Sequence, residues 1–138
     1  MIKVHNQVIV HQDYISQFLE QLTISYQNTK LERQQISTRD FLISAEDFTP
    51  LEELELLTVN IRGYACQIGT TGTVKNAKQA IAELQKLSVF NNHLIVKLYS
   101  EARSQYPQIQ LYISMLDYLR LLVLEYLQIL QSSQPISA

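Results

Sequence analysis

All three glycines of the chain lie in 63-GYACQIGTTGTVK-75, with three threonines around the last two and a lysine behind. Amides, hydroxyls and an ammonium group in one short stretch are the ingredients of a phosphate cradle. The spacing does not deliver one. A P-loop needs G-x-x-x-x-G-K-[ST] after a strand, whereas Gly63 and Gly69 stand six apart, Thr70 follows Gly69, and the preceding residues have helical period. The dinucleotide fingerprint G-x-G-x-x-G fails as well, because Gly63 falls inside that helical pattern and no strand–helix–strand unit surrounds it. The stretch reads as a helix ending at Gly69, a turn, and a new helix capped by Thr71 or Thr73.

One weaker anion site survives this reading. Lys75 and Lys78 stand in the first turns of the new helix, where the macrodipole is already positive. With the hydroxyls of Thr70, Thr71 and Thr73 they form a candidate for phosphate or sulfate, and so for a phosphorylated ligand or an enzyme that uses one. The preferred reading is plainer: exposed lysines tolerate roughly a few tenths of a kcal/mol of unfavourable dipole.

The remaining reactive side chains are scattered. His5, His11 and His93 form no metal-ligand spacing and join no Cys/His cluster, so neither a metal nor a cofactor is expected. Cys66 follows Arg62 by one helical turn, which favours a thiolate, but no base accompanies it; a small core or boundary side chain is the expected role. Glu46, Asp47, Glu52, Glu53 and Glu55 straddle a helix start, where negative charge offsets the dipole. Lys75, Lys78, Lys86 and Lys97 fall close to one face of a long third helix, a stripe suited to a nucleic-acid-associated subunit or simply to the wet side.

Composition supports a binding role over these chemistries. In 138 residues, 46% are hydrophobic and 17% charged, the make-up of a single globular domain. A formal charge of −2 supplies no global attraction to nucleic acid or an anionic membrane. One cysteine cannot close an internal disulfide and the N-terminus lacks a signal-peptide pattern, so a cytoplasmic location is expected. The apolar stretch from Ile109 to Leu130 is interrupted by Asp117, Arg120 and Glu125, so no membrane span is expected.

The expected architecture is all-α, one helical bundle of four main helices. Period-two apolar residues at Ile2, Val4, Val8 and Val10 suggest an extended arm or short hairpin over 1–11. Helices follow at about 12–35, 50–68, 73–104 and 107–131, with a flexible tail over 132–138. In 49-TPLE-52 a capping box with proline at the first helical position marks the second start. The weak helix formers of 88-SVFNNH-93 are a place for the third helix to kink or split.

The last helix carries more apolar circumference than one bundle seam requires. Its polar residues Gln110, Ser114, Asp117, Arg120, Glu125 and Gln128 occupy an arc of about 140° on a helical wheel. Tyr112, Met115, Leu119, Leu122 and Tyr126 are assigned to the core. Ile109, Ile113, Leu116, Leu124 and Leu127 then form a second seam around Arg120, which pairs with Asp117 of a symmetry mate. Five of the eight tyrosines lie in this final third, and tyrosine suits interfaces as well as cores. The expected function is a non-catalytic protein-interaction module, such as an adaptor, regulator, assembly factor or subunit, that self-associates as a dimer through its last helix.

Overall fold

The computed structural model describes residues 2–39, 50–88 and 91–133. Every regular element among them is helical: α1 (Ile2–Asn28), α2 (Lys30–Arg39), α3 (Pro50–Thr71), α4 (Ala77–Lys86), α5 (His93–Gln105) and α6 (Pro107–Ser133). The all-α reading holds, with six helices in place of four. The tail residues 134–138 and Thr49 of the capping box lie outside the described residues.

The extended arm is replaced by the first turns of α1. The helix runs unbroken from Ile2 into the segment that buries Ile15 and Leu22 completely, so the 3.6-residue period of the longer segment overrides a short alternation. The first helix also stops sooner than expected. Thr29 breaks it: its amide bonds to the Tyr26 carbonyl at 3.0 Å and its hydroxyl to the same oxygen at 2.6 Å, a tight turn competing with the helical ladder.

The third expected helix divides at the predicted weak point. Asn92 caps α5, its Oδ1 accepting from the Ile95 amide at 3.2 Å while its Nδ2 donates to Glu53 Oε2 at 3.1 Å. A helix-start signal of this strength inside 88–93 makes two helices preferable to one bent one. At the other end, α3 runs through Gly69 and closes at Gly72, whose φ of +80° is the left-handed conformation glycine tolerates. Gly69 serves another purpose, since a Cβ there would stand 3.0 Å from Ser16 Oγ of α1. Its missing side chain lets the two helices approach.

The sixth helix is the hub of the bundle, packing against each of the other five. Along α1 and α6, the ring of Phe18 packs tilted against Tyr118 and that of Tyr26 against Tyr112, so the two run antiparallel. Thr58 meets Tyr112 and Gly72 meets Tyr126, so α3 runs parallel to α6. The start of α6 is capped from outside the helix: Glu32 of α2 accepts from the amides of Gln108 at 3.1 Å and Ile109 at 2.9 Å. A carboxylate there satisfies two orphan donors and the positive helix end together.

Candidate functional site

The structure spreads the anion-site candidates of the glycine-rich turn apart. Thr70 donates its hydroxyl to Cys66 O and Thr71 to the carbonyls of Gln67 and Thr73, so both point back into the electronegative end of α3. The following helix begins at Ala77, well past Thr71 and Thr73. Lys75 lines a shallow groove of about 190 Å³ with Tyr64, Gln67, Val74, Asn76 and Gln79; Thr70, Thr71, Thr73 and Lys78 do not. The turn is instead tied to the bundle. Tyr126 donates to Gly72 O at 2.5 Å, and Gln12 donates to Ile68 O at 3.0 Å.

Other sequence candidates disperse. Cys66 is exposed, not the core or boundary residue expected, because α3 buries Ile61, Ala65 and Ile68 and turns Cys66 outward. The lysine stripe is cut by the break between helices, which leaves Lys97 on α5 and Lys75 in the turn before α4. Among the described residues no cluster of three metal-ligating side chains occurs, and no helix is long and apolar enough to cross a membrane.

The largest revision concerns α6. Ile109, Ile113, Leu116 and Leu127 are fully buried within the chain, Leu124 is half-buried, and Asp117 and Arg120 are only 9% and 7% exposed. The seam expected to meet a second copy is therefore covered by the chain itself. Arg120 Nε donates to Asp117 Oδ1 of the same helix at 2.9 Å, and Arg120 Nη1 donates to Leu84 O at 2.9 Å. That carbonyl belongs to the last turn of α4, where a cation complements both the unpaired carbonyl and the negative helix end. Charge pairing plus a helix terminus makes burial of Asp117 and Arg120 tolerable, and this rotates the helix relative to its polar arc.

Rotation brings apolar residues out. Leu111, Tyr118 and Leu121 of α6 are 51%, 45% and 46% exposed, and Met115 between them is half-buried. On one flank α1 extends the patch: Phe18 lies 5.0 Å from the Tyr118 ring, and Tyr14, itself 43% exposed, lies 6.3 Å from Phe18. On the other flank Ser114 reaches Tyr99 of α5 at 3.4 Å. The hydroxyl of Tyr118 is held above its usual pKa first by its hydrogen bond with Tyr14, and further by the nearby charge of Glu125. Exposed Asp13, Glu20 and Glu125 lie on the same two helices. The outcome is a face of α6 and the adjoining edge of α1 that exposes aromatic and aliphatic side chains among Ser114 and acidic residues.

The sequence pattern assigned Met115 to the core, counted Tyr118 among the tyrosines suited to either an interface or the core, and gave Leu111 and Leu121 no role. A scan against protein-family models, a search of curated proteins and a search of solved structures each returned no match.

Proposed function

We propose that the protein acts without catalysis, as a helical interaction module that pairs with a second copy of itself through the outer face of α6 and the adjoining edge of α1. The observation that carries this reading is the exposure of Leu111, Tyr118 and Leu121 in one stripe beside Phe18 and Tyr14. With Met115 beside them these are large apolar side chains gathered on one side of α6 and α1, and apolar patches of a few hundred Å², roughly the largest that a monomer carries, are often sites of interaction. Across a two-fold axis the patch is used twice, which moves it toward the roughly 1,200 Å² at the lower edge of specific interfaces. Tyrosine and methionine are enriched in such contacts. Acidic Asp13, Glu20 and Glu125 disfavour nucleic acid or an anionic membrane as the occupant.

Dilution followed by nuclear magnetic resonance tests this reading. The amides of Leu111, Met115, Tyr118 and Leu121 should shift with protein concentration while those of α4 stay fixed. Shifts confined to some other surface, or none, would refute it.

A further inference from the structure

The outer face of α6 also specifies how two copies meet, an inference that rests on the self-association proposed above. Between residues 111 and 128, all of them described, only Leu111, Ser114, Tyr118, Leu121, Glu125 and Gln128 are exposed. They alternate at three and four positions, the spacing with which a helix presents a narrow seam to another helix lying alongside it. On its two flanks α1 sets Phe18 against Tyr118 and α5 sets Tyr99 beside Ser114, so the seam runs between two neighbours from its own chain.

The seam is chemically uneven. Its first four positions carry two leucines, a tyrosine and one small hydroxyl, and the next two carry a carboxylate and a carboxamide. A two-fold axis can pair such helices in either sense. In the parallel sense every residue meets its own copy: Glu125 opposes Glu125, Tyr118 crowds Tyr118, and Ser114 against Ser114 leaves a layer unfilled. In the antiparallel sense, about an axis level with Leu116, Leu111 meets Leu121 of the second copy and Tyr118 meets Ser114, so the bulkiest side chain lies over the smallest. The two Glu125 carboxylates then stand about 27 Å apart at 1.5 Å per residue, well beyond the roughly 8 Å over which physiological salt screens charge. We infer that two copies pair antiparallel along α6, with Leu111 on Leu121 and Tyr118 on Ser114.

Pulsed electron paramagnetic resonance reads the sense of pairing directly. A nitroxide is attached through Gln128→Cys, outside the four contact layers, in a full chain whose native thiol is removed by Cys66→Ser, at a concentration where sedimentation shows the dimer. Antiparallel pairing about Leu116 predicts a distance of about 36 Å between the labels, from the 1.5 Å rise per residue. Parallel pairing brings them to about 10 Å, the separation of packed helices. Ser114→Leu, at an exposed position, should weaken dimerisation at least about tenfold with an unchanged melting temperature, because it fills the space that Tyr118 of the second copy occupies. In a parallel pair the same substitution fills the vacant layer and strengthens association. A label distance well short of 36 Å, or a dimer that Ser114→Leu leaves unweakened, would overturn this pairing while self-association stands; a wild type that never dimerises refutes both.

Discussion

Arg120 Nη1 donates to the carbonyl of Leu84 at 2.9 Å, joining the middle of α6 to the last turn of α4 across 36 positions of sequence. With Asp117 on its Nε, the guanidinium is paired, hydrogen-bonded and removed from water. Arg120→Ala leaves a buried carboxylate and an unsatisfied carbonyl, and is expected to lower stability by about 3–5 kcal/mol. The double replacement Asp117→Leu with Arg120→Met removes both charges and should recover most of that loss. Chemical denaturation of the three proteins checks the order.

Glu32 and the first amides of α6 form the second long-range tie. Glu32→Ala should destabilise by about 1 kcal/mol, whereas Glu32→Gln keeps an acceptor and should lose less. Hydrogen exchange at Gln108 and Ile109 should accelerate in the alanine variant before exchange in the rest of α6 does.

Gly63 and Gly72 are expected to respond oppositely to alanine. Nothing lies within 4 Å of a Cβ built on Gly63, which is inside α3, so Gly63→Ala should stabilise by about 0.5–1 kcal/mol. Gly72 has φ +80°, and Gly72→Ala should destabilise by about 1–2 kcal/mol. Thermal melts of both variants decide the pair.

These contrasts show what the sequence could reveal. Pro50 and Pro107 marked helix starts at the residues where α3 and α6 begin, and the weak segment at 88–93 marked a real break, because these signals are local. The rotation of α6 was not local. Its determinant, the Leu84 carbonyl, carries no signature in side-chain identity, and without that partner Arg120 and Asp117 read as a pair across two copies when they pair within one helix. The same blindness hid the candidate surface: Leu111 and Leu121 look like core until the opposite face is seen to be filled. Gly69 misled for a related reason, since close approach by Ser16 and a helix C-terminus both call for glycine.

Alkaline pH should loosen the fold in a defined window. Burial, only partly offset by the hydrogen bond with Thr58, pushes the Tyr112 hydroxyl up to about 12, and burial followed by the bond to Glu83 does the same for Tyr64. An unfolded tyrosine ionises near pH 10, so between these values the folded chain retains protons that the unfolded chain releases. Stability is complete below about pH 10 and falls as pH rises toward 12. Urea midpoints measured across this range, beside absorbance titration of tyrosinate, should show that decline, and Tyr112→Phe should flatten it.

Self-association through the outer face of α6 is the central claim, and sedimentation velocity over a concentration series tests it most directly. The wild-type chain of 16.0 kDa should sediment as a reversible dimer of twice that mass. Leu111→Glu with Leu121→Glu, two substitutions at exposed positions, should give a monomer with unchanged helical circular dichroism. A wild type that stays monomeric at every concentration, or a double variant that still dimerises, would contradict the account.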